Sequence, residues 1–194
     1  MNKSEIRKLI LKKRKSLSAK EVENLSIKIT NVFLEKIDIN KFEKIAIYSS
    51  IFNEADTRFL FKELQKRKKE IFLPKIDNSS KILEFHQIDN FVNLTANSQY
   101  KNILEPNSKK DIPQLVIVPL VACDEDFYRI GMGGGFYDAT IKYLKDLNPK
   151  IIFGGFSYNF QKVTKIDHEE FDQQLDFISF EDKLIATKKG FLQG

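Results

Sequence analysis

The chain is poor in the residues that would suit it to an oxidising or membrane environment. It has one cysteine, Cys123, so an internal disulfide is excluded and a reducing cytosol is the expected compartment. No apolar run approaches the roughly 20 residues that a membrane-spanning helix needs. The polar start, Met1-Asn2-Lys3-Ser4-Glu5, is unlike a secretory signal. The sequence therefore predicts a cytoplasmic protein with no membrane partner.

Histidine is also scarce, with two in the chain. His86 lies in a predicted strand, and its neighbours do not suggest a metal site, so we expect a structural histidine. Cys123 follows another predicted strand and has no histidine motif beside it, so we expect a plain buried thiol.

Basic residues outnumber acidic ones, 32 to 27, and the net charge is +5. Such a balance would suit nucleic acid or a polyanionic small molecule. However, the lysines are spread along the chain, and the densest basic runs, 12–15 and 66–69, lie at or near the ends of predicted helices, where cations favour the helix dipole. No nucleic-acid recognition module of the usual types is visible, so we expect no nucleic-acid partner. A basic nucleic-acid-binding module is the first alternative.

The remaining composition, 42% hydrophobic and 30% charged, is typical of a globular protein. We expect one domain, 1–194, which is long enough for a sizeable core.

A capping box at Ser18 and Glu21 marks the start of a second helix. Helical patterns alternate with strand patterns at 44–48, 70–74, 81–88, 115–118 and 151–156. This alternation predicts a three-layer α/β fold in which helices flank a mainly parallel sheet.

The stretch from 115 to 138 joins an apolar strand, a polar segment with Arg129, and a glycine cluster. Four of the eight glycines, at 131, 133, 134 and 135, fall within five residues, directly before a helical pattern. Glycine permits positive φ and close approach of a ligand, and the free N–H groups of a helix start favour an anion. Arg129, which we expect in a polar loop, adds a cationic fork suited to phosphate. The stretch fits neither the dinucleotide fingerprint nor the P-loop, so spacing alone leaves open a phosphate-binding loop or a structural turn.

Charged residues elsewhere have roles that spacing alone leaves open. Lys3 and Arg7 lie four apart on one face of a predicted N-terminal helix, as ordinary exposed residues also do. Glu54 lies between the first strand and a helix that begins near Thr57, where α/β proteins place ligand contacts. A charge that assists the helix start would also explain Glu54.

The glycine stretch resembles a long and specific family signature. It consists of Pro119, Asp124 and the run Arg129-Ile130-Gly131-Met132-Gly133-Gly134-Gly135-Phe136-Tyr137-Asp138. It is similar to the signature of the 5-formyltetrahydrofolate cyclo-ligases (5,10-methenyltetrahydrofolate synthetases). Other segments match that family in order, namely Lys3-x-x-x-Arg7, Asn53-Glu54-x-x-Thr57 and Ile103-Leu104-Glu105-Pro106. The resemblance therefore covers almost the whole chain.

The resemblance implies a Rossmann-like fold shared with sugar-phosphate isomerases and CoA-transferases. It also implies ATP-dependent conversion of 5-formyltetrahydrofolate to 5,10-methenyltetrahydrofolate. The formyl oxygen would be phosphorylated, and ADP and phosphate would be released. ATP would be a co-substrate, Mg²⁺ the metal, and the enzyme a monomer that binds small molecules. An ATP-independent sugar-phosphate isomerase on the same fold is the second alternative.

The family pattern also implies roles for individual residues. The catalytic residues would be Arg129 and Tyr137. ATP would be bound by Lys3, Arg7, Arg129, Gly131, Gly133, Gly134, Gly135, Phe136 and Tyr137. The folate would contact Glu54, Met132, Phe136 and Tyr100, and magnesium would be bound by Asp138 and Asp172. Arg14 is a further phosphate-binding candidate of the same kind as Lys3 and Arg7.

Three positions depart from the family pattern. Met132 and Gly134 stand where some relatives place Arg or Lys, so any charge supplied there is missing. Phe136 replaces the usual first tyrosine, which removes a hydroxyl and keeps the aromatic face. These departures bear on folate affinity and polyglutamate handling more than on the reaction.

Overall fold

The computed structural model describes residues 1–77, 79–92, 94–187 and 190–193. Its helices are α1 (Lys3–Lys15), α2 (Ala19–Lys36), α3 (Arg58–Lys66) and α4 (Phe136–Leu147), with short 3-10 turns at Ile39–Lys41 and Asn159–Gln161. Its strands are β1 (Lys44–Ala46), β2 (Glu70–Ile76), β3 (Leu83–Ile88), β4 (Thr95–Ala96), β5 (Leu104–Glu105), β6 (Leu115–Val118), β7 (Ala122–Cys123), β8 (Arg129–Ile130), β9 (Ile152–Phe156), β10 (Phe177–Ser179) and β11 (Leu184–Ala186). Within these residues, no helix combines the length and apolar character needed to cross a bilayer.

Seven strands form one sheet in the order β11-β10-β9-β6-β1-β2-β3. The inner pairs are parallel, and the edge strands β11 and β3 are antiparallel to their neighbours, so the predicted mainly parallel sheet is confirmed. From β1 the chain adds β2 on one side, and from β6 it adds β9 and β10 on the other. Strand order therefore reverses between β1 and β6. At such a reversal the connections diverge and leave a crevice at the C-terminal ends of the strands.

Helices cover both faces of the sheet, as the three-layer prediction requires. On one face, Phe33 of α2 and Leu60 of α3 are buried with Ile45 of β1. On the other, Ile141 of α4 is buried with Ala46 of β1. Successive side chains of a strand point to opposite faces, which is why neighbouring residues of β1 belong to different layers.

Helix α1 packs outside these layers, against the hairpin of β7 and β8. Ile6 and Ile10 are buried with Val121, Ala122 and Ile130. This hairpin follows the C-terminal end of β6, so α1 lies at the edge of the sheet where the crevice opens.

Local side-chain chemistry sets where the helices begin. The predicted capping box of α2 is confirmed, because Glu21 N–H donates to the Ser18 hydroxyl (3.3 Å) and Ser18 N–H donates to the Glu21 carboxylate (2.8 Å). Asn2 and Glu5 form a second capping box, which starts α1 at Lys3. Helix α3 follows Thr57, as predicted.

Three local predictions need correction. Strand β1 ends at Ala46, so Tyr48 lies beyond the strand rather than in it. The strand predicted at 81–88 begins at Leu83. Arg129 does not lie in a polar loop, because it belongs to β8, which pairs with β7, and its side chain is buried. A strand of two residues is too short to leave a hydrophobic pattern in the sequence.

The expected structural roles of His86 and Cys123 are confirmed. The His86 ring is buried, and its nitrogens lie 2.6 Å from the Ser108 carbonyl oxygen and 3.1 Å from the Glu84 carboxylate. Cys123 is fully buried beside the Ser157 hydroxyl, and burial raises the pKa of its thiol to about 12.

Gly154 in β9 permits the close packing of β10, because a Cβ at this position would overlap the Phe177 ring. We therefore expect Gly154→Ala to lower the free energy of unfolding by about 3 kcal/mol, since an overpacked core must shift its side chains or backbone. Urea unfolding measures the loss. Gly190→Ala is the control, because among the described residues a Cβ there meets nothing within 4 Å. Equal stability of the two variants would contradict this packing.

Candidate active site

A cavity of about 410 Å³ opens at the C-terminal ends of β1, β2 and β6. Tyr48 follows β1, Ile76 ends β2, and Pro119 follows β6. The cavity therefore occupies the crevice at the reversal of strand order, where α/β proteins bind ligands. Every predicted site residue except Tyr100 and Arg14 lines it, namely Lys3, Arg7, Glu54, Arg129, Gly131, Met132, Gly133, Gly134, Gly135, Phe136, Tyr137, Asp138 and Asp172.

The glycine-rich loop, residues 131–135, forms the wall between β8 and α4. Gly133 (φ +100°) and Gly135 (φ +72°) have left-handed backbone, which other residues adopt only with strain. The expected special backbone requirement is therefore confirmed at these two positions. Gly135 is the N-cap of α4 and has no side chain to bond the first N–H groups of the helix. Those N–H groups, together with the helix dipole, favour an anion in front of them.

Arg129 joins three segments at this wall. Its Nη1 donates to Asp138 Oδ1 (2.9 Å) and to the Gln173 carbonyl oxygen (3.2 Å). Asp138 lies in the first turn of α4 and also accepts a bond from Gln173 N–H (3.0 Å). These bonds hold the guanidinium beside the glycine-rich loop.

Lys3 and Arg7 lie on one face of α1, as predicted, and that face lines the cavity. Lys3 forms an ion pair with Asp172, and Arg7 Nε donates to the Gly131 carbonyl oxygen (2.8 Å). The first turns of α1 therefore meet both the glycine-rich loop and the segment that carries Asp172.

Asp138 and Asp172, the predicted magnesium ligands, are each bonded through one carboxylate oxygen. Both hydrogen bonds to Asp138 fall on Oδ1, and both hydrogen bonds to Asp172 fall on Oδ2. In the described part of the chain, no cluster of three or more His, Cys, Asp or Glu side chains is arranged to hold a metal. Mg²⁺ prefers one or two carboxylates completed by phosphate oxygens and water, so these residues fit a magnesium ion that binds with a nucleotide.

The inner wall carries a buried carboxylate beside two tyrosines. Glu54 is 6% exposed, and its Oε2 accepts a bond from Ile51 N–H (3.0 Å). Burial raises the pKa of Glu54 from 4.5 to about 7, although the positive charge of Arg14 opposes this rise. Burial also raises the pKa of Tyr48 and of Tyr137, and the negative charge of Glu54 adds to both effects. The inner wall therefore combines one titratable carboxyl with two neutral phenols.

Apolar side chains line the mouth of the cavity. Met132 and Phe171 line it while remaining 51% and 64% exposed. Tyr100 packs edge-to-face on Phe136, with 5.9 Å between the ring centroids. Tyr100 therefore contacts the lining through Phe136, and its own folate contact stays a prediction.

Arg14 is placed differently from the prediction. Its guanidinium is fully buried and donates to the carbonyl oxygens of Phe52 (3.0 Å), Leu120 (3.2 Å) and Ile51 (3.4 Å). Helical spacing places Arg14 on the same face of α1 as Arg7, but the loop after β1 covers this end of the helix. The predicted phosphate-binding role of Arg14 is therefore wrong.

Several further residues line the cavity without having been predicted. Tyr48 and Pro74 end two predicted strands, so the rule that ligands bind at strand ends would have identified them. Glu169 and Phe171 precede Asp172, and only tertiary packing brings that segment to the cavity. The missed residues are Tyr48, Ser49, Ile51, Pro74, Ile76, Leu83, Ile103, Leu104, Pro119, Leu120, Val121, Ile130, Glu169 and Phe171.

Glu54 makes stability depend on pH. The pKa of Glu54 is about 7 in the folded protein and 4.5 in the unfolded chain. In the pH window between these two values, the folded state keeps a proton that the unfolded chain loses. Stability therefore falls as pH rises through the window. Glu54→Gln removes this titration. The free energy of unfolding of the variant minus that of wild type should therefore increase as the pH is raised from about 4 to about 8. The rise should be at most about 3 kcal/mol, since one pKa unit corresponds to ~1.4 kcal/mol.

Urea unfolding at a series of pH values measures this difference. The control is Glu23→Gln, which makes the same chemical change at an exposed position on α2. A difference between Glu54→Gln and wild type that does not change with pH would show that Glu54 titrates normally.

Comparison with known proteins points to one family along the chain. The model of the 5-formyltetrahydrofolate cyclo-ligase family matches residues 1–181. The chain is 32% identical over 180 residues to a 5-formyltetrahydrofolate cyclo-ligase of Mycoplasma pneumoniae, covering 92% of this chain and 98% of that protein. It is 30% identical over 180 residues to one of Haemophilus influenzae, covering 88% and 93%.

A solved structure has the same fold. The NMR structure of Aquifex aeolicus 5,10-methenyltetrahydrofolate synthetase aligns with a TM-score of 0.82 at 29% identity, covering 98% of this chain and 95% of that one. The strand order, the cavity at its reversal and the matched sequence lead to one conclusion. The chain belongs to the 5-formyltetrahydrofolate cyclo-ligase family.

Proposed function

We propose that this protein catalyses the ATP-dependent cyclisation of 5-formyltetrahydrofolate to 5,10-methenyltetrahydrofolate, with release of ADP and phosphate. The observation that carries the proposal is a single cavity with two chemically different halves. One half presents cations and backbone N–H groups, and the other presents apolar side chains and a buried carboxylate. A triphosphate and a reduced folate need these two surfaces next to each other. One chain supplies every residue used, so a monomer in the cytosol is sufficient.

The triphosphate binds in the cationic half. The N–H groups of loop 131–135 and of the first turn of α4 donate to phosphate oxygens. Lys3, Arg7 and Arg129 surround the same space and balance the negative charge. Gly133 and Gly135 keep the backbone close to the phosphates, because a Cβ at either position would strain the loop.

Asp138 and Asp172 would hold magnesium in this proposal, because each has one carboxylate oxygen that does not bond to Arg129 or Lys3. Magnesium would supply positive charge against the triphosphate oxygens. Arg129 keeps Asp138 oriented toward the cavity, and Lys3 does the same for Asp172.

The folate binds in the apolar half. The Glu54 carboxylate accepts hydrogen bonds from N–H groups of the heterocycle, at the closed end of the cavity. The aromatic face of Phe136, supported by Tyr100, and the side chain of Met132 cover the remainder of the ligand at the mouth. The missing hydroxyl of Phe136 and the missing charges at Met132 and Gly134 affect the affinity for this ligand, not the phosphoryl transfer.

The reaction turns a formamide into an electrophile. The formyl oxygen attacks the γ-phosphorus of ATP, the bond from this phosphorus to the β–γ bridging oxygen breaks, and ADP leaves. N10 then attacks the formyl carbon and loses its proton, and the C–O bond breaks to release phosphate and the methenyl product. The enzyme contributes alignment and charge neutralisation rather than covalent chemistry. Arg129 stabilises the transferring group, and Tyr137 lies beside it at the boundary of the two halves.

The proposal is tested by the absorbance of the methenyl product. Purified protein with 5-formyltetrahydrofolate, ATP and magnesium should produce the chromophore. Omission of ATP, or chelation of magnesium with EDTA, should abolish it. A chromophore that forms equally well without ATP would contradict the proposed reaction, and so would none in the complete mixture.

Arg7 tests the phosphate half. Arg7→Ala should raise the KM for ATP about tenfold or more, because it removes a cation and a fork of donors from the site. The matched control is Lys8→Ala, which removes an exposed cation from the next position of the same helix. Steady-state kinetics at fixed folate measures both. Equal effects of the two changes would show that Arg7 acts only through the net charge.

A further inference from the structure

Arg14 is a buried charge in a helix whose other cations reach solvent or the cavity mouth. Its side chain is 0% exposed, so all the solvation of a guanidinium must come from the protein. Its donors bond to three carbonyl oxygens, two from the loop after β1 and one, Leu120, from the segment after β6. Arg14 therefore ties together the connections that leave the two strands on either side of the reversal.

The loop that Arg14 holds has a strained backbone. Phe52 (φ 50°) and Asn53 (φ 56°) both lie in the left-handed region, which non-glycine residues adopt at a cost. The Asn53 amide donates to the carbonyl oxygens of Arg14 and Leu17, at 3.0 Å each. The end of α1 thus binds both sides of this two-residue turn, and Glu54 comes directly after it.

The charge of Arg14 is directed at Glu54. Arg14 Nη2 lies 3.6 Å from Glu54 Oε1, and both side chains are almost completely buried. The other titratable groups around the pair are the phenols of Tyr48, Tyr137 and Tyr158, all of which burial keeps neutral by raising their pKa. Within the described residues, Arg14 is therefore the cation that balances this carboxylate.

We propose that Arg14 is a positioning residue, which fixes the Glu54 carboxylate at the closed end of the cavity and supplies the charge that balances it. Its role in folate binding rests on the function proposed above. Helix α1, which presents Lys3 and Arg7 to the phosphates, also presents Arg14 to the Glu54 carboxylate. One helix thereby sets both halves of the cavity.

The direct test is the ionisation of Glu54 in the free protein. Arg14→Met removes the charge, and Arg14→Lys keeps it while losing the planar fork. The ¹³C carboxyl resonance of Glu54, identified by its loss in Glu54→Gln, is titrated in each. We expect the midpoint to lie at least one pH unit higher in Arg14→Met than in Arg14→Lys. Equal midpoints would overturn the proposal, whether or not the enzyme has cyclo-ligase activity.

Kinetics separate positioning from a general structural effect. Arg14→Met should raise the KM for folate about tenfold near neutral pH, shift the acid limb of the kcat/KM profile upward, and leave the KM for ATP unchanged. In the Glu54→Gln background, the same change should add little to the folate KM. Parallel increases in the KM for folate and the KM for ATP would make Arg14 a structural residue only. Full additivity of the effects of Arg14→Met and Glu54→Gln on the folate KM would lead to the same conclusion.

If Arg14→Met does not fold, a further variant still tests the proposal. Arg14→Met combined with Glu54→Gln removes both charges. Recovery of a folded protein in this combination supports the proposal, because the unbalanced carboxylate is then the cause of unfolding. Failure of the combination to fold, while Arg14→Lys folds, would show that the carbonyl contacts alone are what matter, and would overturn the proposal.

Discussion

The parallel pairing of β1 with β6 is the contact on which the rest of this structure depends. It joins Ile45 to Leu115 and Ala46 to Val116, and the chain then departs from the two strands in opposite directions. A space opens between the departing segments because no connection crosses it. Helix α1 closes one side of that space and α4 begins at another. The cavity is therefore a product of topology, and the side chains only decide what it binds.

The cavity holds its cations in balanced pairs before any ligand arrives. Lys3 pairs with Asp172, Arg129 with Asp138, and Arg14 with Glu54. Like charges gathered without such partners would repel and would be costly to desolvate. In the proposed function the first two pairs stay in place: Arg129 and Lys3 keep Asp138 and Asp172 oriented toward the cavity while their positive charge balances the triphosphate. The site is thus prepared for charge without destabilising the fold.

Features of the fold and the site that have a local signal are predictable from the sequence. Apolar runs predicted the strands at 115–118 and 151–156, the second of which begins at Ile152, and the Ser18 capping box predicted the start of α2. The glycine cluster predicted unusual backbone, and two of its members have positive φ. Features that depend on contacts between distant segments are not predictable in this way. Arg14 has the spacing of a cavity residue, but a loop from another part of the chain covers it, and Arg129 lies in a two-residue strand that only its partner defines.

The ion pair between Lys3 and Asp172 spans 169 positions of the chain. During synthesis, the helix that carries Lys3 is made first, and its partner Asp172 is added only after most of the remaining residues. Such distant closure is slow, because chain entropy is lost before the contact forms. Strands β10 and β11 also follow Asp172 in the chain, and β10 pairs with β9 inside the sheet. That side of the sheet and the ion pair therefore form together, so a chain that ended before Asp172 would lack one edge of the sheet as well as the partner of Lys3.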